Sequence, residues 1–416
     1  MFCGLDFGTS NSTLGTLAGN SLQLLSLEAT GKDTLPSTLF YHEESQRIDF
    51  GRAALESYLE GDEGRLMRSI KSVLGTSLAA ESTTVGDRRL PFKAVIATFL
   101  REMKRRAEAQ IGQELTSVVQ GRPVNFVDHD PDANREAQDM LEEILRSIGF
   151  REISFQLEPI AAAWQYEAEA TSEDLALVVD MGGGTSDFSV IRIRPDRDGT
   201  EIGMEDVLAN TGIRLGGIDF DQLLSLATIM PLLGYKAPLQ GGRLRNPNWI
   251  YSHLSLWPKI NLLYAAKVRR NIDWILENGD GDPRFDRLAT VIDERLGHRI
   301  ANDVEEAKIA LSNRGETLVD LAYVDPGLEQ ALAIKNLTDA SDQALERLKT
   351  AIDECLSQAG CGPADIGVVL MTGGSTEMPF VQQAIQAQLP DARFQNIDKF
   401  GAVGYGLALE AAKRFG

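Results

Sequence analysis

Residues 179–190 read Val179-Asp180-Met181-Gly182-Gly183-Gly184-Thr185-Ser186-Asp187-Phe188-Ser189-Val190, and residues 5–14 read Leu5-Asp6-Phe7-Gly8-Thr9-Ser10-Asn11-Ser12-Thr13-Leu14. Each stretch is an apolar run ending in Asp, then a glycine turn, a Gly-Thr-Ser step, a short polar residue and a second apolar run. That is the pattern of a strand–turn–strand hairpin. The two copies lie 174 positions apart, too far for a solenoid repeat. They read as one domain design used twice. In the second copy, residues 175–179 form a continuous apolar strand, Gly182-Gly183-Gly184 permits a turn with positive φ, and residues 188–193 form the next strand. In the first copy, residues 2–7 and 12–17 are strands, and Ala18-Gly19-Asn20 turns into a third, residues 22–27.

Helices surround these meanders. Residues 92–111 are amphipathic, with Arg101, Lys104, Arg105 and Arg106 on a basic face. Residues 132–148 repeat apolar side chains at helical spacing. Pro159 suits a first helical position, so Glu158 stands at a strand-to-helix junction before a helix over residues 160–170. Residues 301–311, 341–358 and 402–414 are further helices, and Gly404 and Gly406 in the last imply close packing against another element. Strands followed by helices in both halves indicate an α/β protein.

The chain has 416 residues, with 43% apolar and 25% charged, enough for a two-lobed protein with a sizeable core. Its net charge of −20 argues against nucleic acid or an anionic membrane as a partner. No apolar stretch is long enough for a membrane span, and the N-terminus has no basic leader followed by an apolar run. Three cysteines, Cys3, Cys355 and Cys361, make no disulfide framework, which fits a reducing cytoplasm. The four histidines are scattered and give no basis for a metal held by imidazole or thiolate.

A glycine turn after a strand gathers backbone N–H groups in one concavity, which suits phosphate oxygens. Thr9, Ser10 and Thr185 can donate hydroxyls to the same oxygens. Asp6 and Asp180 end the strands beneath the turns, and two carboxylates beside phosphates suit Mg²⁺, a hard ion that keeps its waters. Either hairpin alone reads more readily as an ordinary turn capped by Asp; the repeat favours two facing phosphate clamps. No Walker A loop and no G-x-G-x-x-G fingerprint is present. A third glycine turn, Thr372-Gly373-Gly374-Ser375-Thr376-Glu377, follows the apolar run 368–371 and precedes a helix near Pro379.

Five motifs occur in one order: residues 4–12, Leu157-Glu158-Pro159-Ile160-Ala161-Ala162-Ala163, residues 180–187, Leu215-Gly216-Gly217-Ile218-Asp219-Phe220-Asp221, and Gly373-Gly374-Ser375-Thr376. In this they resemble the nucleotide-binding domain of DnaK-type heat-shock chaperones, within the actin, hexokinase and heat-shock ATPase superfamily, and most of all its truncated, YegD-like members. The resemblance runs from residue 4 to about residue 410. It implies an actin-like ATPase fold: two duplicated, ribonuclease-H-like lobes around a nucleotide cleft. Lobe I is residues 1–170 with the C-terminal helix 397–416, and lobe II is residues 171–396 with an expanded helical insertion around 231–300.

The resemblance also implies the ligands, ATP or ADP with Mg²⁺, and K⁺ as a further ion. Asp6 and Asp180 hold the metal through its waters. Glu158 orients water, Lys71 contacts phosphate, and Asp187 holds the attacking water or a monovalent cation, with Thr185 beside it. Gly8, Thr9, Ser10, Asn11, Gly182, Gly183 and Gly184 form the phosphate hairpins. Gly216, Gly217, Gly373, Gly374 and Ser375 line the nucleoside, and Glu305, Lys308 and Ser312 match the family's adenosine-contacting helix. Ile309 and Glu377 stand where the family carries two arginines that stack on adenine, which implies a weaker grip on the base. The chain stops after the last helix, so no peptide-gripping β-sandwich is expected. Residues 243–270 carry six bases and no acid, beside Trp249, Trp257 and Trp274. The simpler reading is a helical cap with core aromatics and bases facing solvent or the acidic lobes; the other is a docking surface for an acidic partner or a nucleic acid. Together these features imply an ATP-binding, ATP-hydrolysing conformational switch. They leave open a nucleotide-sensing scaffold, a small-molecule kinase and a filament former.

Overall fold

The computed structural model describes all residues except 19–20, 29–30, 87, 128–129, 195–203 and 397–400. The turn expected at Gly19-Asn20 and the start of the expected segment 397–416 lie outside the described residues. Contacts divide the chain into two compact units, residues 1–214, 349–376 and 383–416, and residues 215–348 and 377–382.

The first unit holds two sheets of one design. In the first sheet, β1 (Phe2–Phe7), β2 (Asn11–Ala18) and β3 (Ser21–Leu24) form an antiparallel meander, and β4 (Ser117–Arg122) and β5 (Glu152–Leu157) extend it in parallel beside β1. In the second, β6 (Asp174–Met181), β7 (Ser186–Ile193) and β8 (Val207–Ile213) form the meander, and β9 (Val368–Thr372) and β10 (Arg393–Asn396) extend it beside β6. The order is the same in both, so the sequence repeat marks a repeat of topology.

Two helices lie between the sheets. The C-terminal helix Ala402–Phe415 packs on β1, β2 and β4, and α3 (Glu158–Glu169) packs on β6 and β7 and against the C-terminal helix. Their shared core joins Ile160, Ala161 and Trp164 to Val178, Ile191 and Leu407. The approach is as close as the two glycines imply: a Cβ on Gly406 would lie 2.1 Å from the Ala161 carbonyl oxygen. The outer face of the first sheet is covered by α1 (Phe92–Ile111) and α2 (Pro131–Ser147), whose apolar stripes bury Phe99, Met103, Leu141 and Ile144. One expectation fails here. Lys104 is buried rather than solvated, its ammonium bonded to Glu108 and set over the Phe150 ring. Its long apolar stem lies against the core while its charge is met locally.

The second unit is mostly helical. It contains α4 (Gly217–Thr228), α5 (Ala266–Asn278), α6 (Pro283–Asp293) and α7 (Gly297–Arg314), and a hairpin of Glu316–Asp320 with Glu329–Ala333. The segment after α4 runs through short turns at Met230–Leu233 and Trp257–Tyr264 and the helix Trp249–Leu254. It has its own core, including Leu233, Tyr251, Leu254, Ile260 and Ile272. Its aromatics divide: Trp249 is 41% and Trp274 39% exposed, so these two are not core residues. No helix among the described residues is long and apolar enough to cross a membrane.

Candidate functional site

In the first unit, four charged groups gather from separate elements. Asp6 ends β1, Asp180 lies at the end of β6, and Glu158 opens α3 directly after β5. Lys71 sits in the turn Ile70–Val73, which follows Ser69 in the left-handed region at φ 55°. The Lys71 ammonium donates to Glu158 Oε1 at 2.7 Å, with both side chains about nine-tenths buried. Burial pushes the Asp180 carboxyl up to about 7, reinforced by the Glu158 charge and opposed by Lys71. Asp6 is raised for the same reason, with Glu158 and then Asp180 adding to burial against Lys71. Burial lowers the Lys71 ammonium, but the carboxylates of Glu158, Asp6 and Asp180 outweigh it and raise the net value. Three carboxylates around one ammonium leave surplus negative charge in a poorly solvated place.

The first hairpin turn, Gly8-Thr9-Ser10-Asn11, is braced from outside. Ser37 donates its hydroxyl to the Gly8 carbonyl at 2.7 Å and its N–H to the Ser10 carbonyl at 2.9 Å. A Cβ at Gly8 would lie 2.1 Å from the Asn11 carbonyl oxygen, so the tight turn itself requires glycine. The second turn differs from expectation. None of Gly182, Gly183 and Gly184 has positive φ. The turn closes with the Gly182 N–H donating to the Thr185 carbonyl at 3.0 Å, and a Cβ at Gly184 would meet nothing within 4 Å. The chain does not need glycine at 184; the bare backbone leaves room for another group to approach. Thr185 is exposed, and Asp187 lies half-buried opposite Asp180 in the register of β6 and β7.

The third glycine turn meets the second. Gly373 has φ 81°, and a Cβ there would lie 2.4 Å from the Met181 carbonyl oxygen and 2.9 Å from Asp180 Oδ1. Ser375 donates to the Gly182 carbonyl at 2.8 Å, and Gly374 lies between Gly373 and Ser375 in sequence. The remaining candidates belong to the second unit. Asp219 accepts from the Gly216 N–H at 2.8 Å where α4 begins at Gly217. Lys308 on α7 is paired with Asp221 at 2.7 Å and reaches the Gly217 carbonyl at 3.4 Å. Ser312 donates back to the Lys308 carbonyl at 3.1 Å. Glu305 and Glu377 are half-buried, and Ile309 is 52% exposed.

Two residues near the charged cluster carry no sequence signal. Ser37 lies in no motif, yet it fixes the first turn. Arg122, at the end of β4, is lowered by burial and held up by the Glu158 charge. It donates to the Pro123 and Val124 carbonyls at 3.0 and 2.9 Å.

Paired sheets, two Asp-bearing hairpins and a buried lysine–glutamate pair beside their Asp residues define an α/β protein of duplicated design. Comparison with known proteins is consistent with this. The family profile described as Hsp70 protein matches residues 79–229 and 274–416. The chain belongs to the Hsp70 family, and its α/β architecture is the actin-like ATPase fold of that family. It is similar to the chaperone protein dnaK3 of Thermosynechococcus vestitus, with 25% identity over 436 aligned residues covering 98% of this chain and 54% of dnaK3. The chain thus spans about half the length of that relative. Asp6 and Lys71 lie before the first residue the profile matches, so the case for them rests on geometry.

Proposed function

We propose that the chain binds ATP with Mg²⁺ at the Asp6–Lys71–Glu158–Asp180 cluster and hydrolyses it, with nucleotide state setting its conformation. The observation that carries this is the Lys71–Glu158 pair, about nine-tenths buried and flanked by one Asp from each copy of the hairpin. The donor set fits a hard dication. Two carboxylates raised by burial and by the Glu158 charge gain most from a nearby positive charge. Among the described residues no three His, Cys, Asp or Glu side chains form a metal-binding group, so the ion would rest on Asp6, Asp180 and its own waters. When bound, Mg²⁺ neutralises phosphate charge and orients the phosphate chain.

The chain's own residues do the rest. Backbone N–H groups of the two turns and the hydroxyls of Thr9, Ser10 and Thr185 hold phosphate oxygens. Lys71 offsets charge on the transferred phosphoryl group. Glu158, anchored by Lys71, accepts a hydrogen bond from the attacking water, and Asp187 helps to place it. The oxygen of that water bonds to the γ-phosphorus as the bond to the β-phosphate oxygen breaks, giving ADP and phosphate. Residues 1–170 with 397–416, and residues 171–396, are the two lobes in this reading; each carries one copy of the meander sheet, and K⁺ belongs beside Asp187. Gly216, Gly217, Glu305, Lys308 and Ser312 take the nucleoside. A sensor without useful turnover is the second reading, favoured by the exposed apolar Ile309 where a stacking guanidinium is expected.

Calorimetric titration with ATP and adenosine, with and without Mg²⁺, and measured phosphate release decide between them. Mg²⁺-dependent ATP binding with release lost in Asp180→Asn supports the hydrolase. Binding without release supports the sensor, and no ATP binding refutes both.

A further inference from the structure

The strongest feature the nucleotide reading leaves unused is the helical segment after α4. The family profile matches up to residue 229 and resumes at 274, so residues 230–273 lie outside the matched region. Residues 222–272 contain seven Lys or Arg and no Asp or Glu, in a chain of net charge −20. Six of the seven are exposed: Lys236, Arg243, Arg245, Lys259, Lys267 and Arg270. The seventh, Arg269, is paired with Asp293 at 2.9 Å and Asp273 at 3.4 Å. The six have no ion-pair partner among the described residues.

These charges share a surface with exposed apolar groups. On α5, Lys267, Arg270 and Trp274 fall at i, i+3 and i+7 on the exposed side, while Val268, Ile272 and Ile275 face the core. The turn that carries Arg243 is fastened to the end of the same helix. Gln240 donates to Asn278 Oδ1 at 2.7 Å, and the Gly241 N–H donates to Asp280 at 2.8 Å. Trp249 stands just beyond Arg245, edge-on to His253 with ring centroids 5.3 Å apart, and Leu262 is 59% exposed. A segment with its own core that keeps two tryptophans and six unpaired cations at the surface has the composition of a protein interface.

We propose that this surface, from Arg243 to Trp274, docks an acidic polypeptide segment of another protein, with Trp249 and Trp274 taking its apolar side chains and the cations its carboxylates. Charge complementarity selects an acidic partner. The strongly acidic remainder of the chain disfavours a long nucleic acid, whose phosphates it would repel along their length. The proposal does not depend on the ATP reading.

Trp249 and Trp274 are two of four tryptophans, so intrinsic fluorescence reports occupancy. The probe is a synthetic peptide of about 20 residues, mostly Glu with a few Leu and Phe, titrated into the full chain. Oligo-glutamate and oligo-thymidylate of similar charge run in parallel, with sedimentation velocity of the chain alone. The Glu/Leu/Phe peptide is expected to bind more tightly than either control, and less tightly as salt rises. Trp249→Ala with Trp274→Ala, and separately R243E/R245E/K267E/R270E, should each weaken it by about tenfold or more. Thermal unfolding and ATP binding should stay unchanged in both. No peptide binding at low salt, binding unaffected by either variant, tighter binding of oligo-thymidylate, or self-association of the chain abolished by the charge reversals would each overturn the proposal.

Discussion

Asp180→Asn is the most informative single change, because it should remove activity while making the metal-free protein more stable. The substitution keeps shape and deletes one negative charge from a cluster that has too many. Burial and Glu158 raise the Asp180 carboxyl from 3.8 to about 7 in the folded chain. A rise of that size is at most about 4 kcal/mol of strain on the ionised form. The side chain keeps some contact with solvent, which screens the repulsion, so about 1–2 kcal/mol is the working expectation.

The sign follows from proton uptake. Between the unfolded and folded values the native state binds the extra proton, so wild-type stability falls as pH rises through that window and levels off above about 7. The gain from Asn should therefore be full near pH 8, about half as large near pH 5.5, and absent below about pH 4. Urea unfolding of both proteins in chelator at three pH values measures it, with phosphate release in Mg²⁺ measured alongside. An Asp180→Asn protein that is less stable near pH 8, or a gain that does not shrink on acidification, would show that the carboxylate is already satisfied within the chain. The surplus-charge argument would then fail, and with it the reason to place a cation there.

Lys71→Met should cost both turnover and about 3–5 kcal/mol of stability, because it strands Glu158 without its partner; adding Glu158→Gln should recover much of that loss in urea unfolding. Gly373→Ala should destabilise by about 2–3 kcal/mol, since φ 81° is strained for alanine and the new methyl would lie 2.4 Å from the Met181 carbonyl oxygen. Because the same methyl presses on Asp180 Oδ1, ATP affinity should fall further than for an alanine placed at Gly360, whose added Cβ meets nothing within 4 Å. Asp49 sits apart from the site. Burial raises it, but hydrogen bonds from His42 and Ser57 and the Arg47 charge outweigh that and hold its carboxyl below the usual range. Asp49→Asn should cost about 1–2 kcal/mol at neutral pH. That difference should close as pH falls through the carboxylate range, because a lowered carboxyl stabilises only while ionised.

The strands of both meanders, the two hairpins and the helix starting at Glu158 were legible because hydrophobic periodicity and glycine punctuation are local signals. The duplication was legible for the same reason, since each copy writes its own strand, turn and strand. What stayed hidden depends on distant partners. Nothing near residue 37 announces that its hydroxyl braces Gly8, because the two meet through a loop closure between β2 and the strand Leu35–Pro36. Lys104 looked like one more base on a polar face, and only its partners, Glu108 and Phe150, explain its burial. The triple glycine suggested a positive-φ turn, yet the turn closes without one; at Gly184 an absent side chain leaves open space instead.

Duplication also accounts for the electrostatics. A hairpin that ends its first strand in Asp brings one carboxylate; used twice in facing sheets, it brings two, and the junction residue Glu158 adds a third. The repeat cannot supply the opposing charge, because each copy carries the same sign. Lys71 comes instead from the turn after the strand Gly64–Arg68, outside both hairpins, and it is committed to Glu158. Asp6 and Asp180 are left as the groups whose repulsion a further cation would relieve. Any cation that binds there raises stability with the logarithm of its concentration above its dissociation constant, because it binds the folded arrangement and not the unfolded chain. Under the proposed function, the charge that costs the fold stability is the charge that would hold the metal, and the metal-free and metal-bound stabilities of one mutant, Asp180→Asn, measure both sides of that exchange.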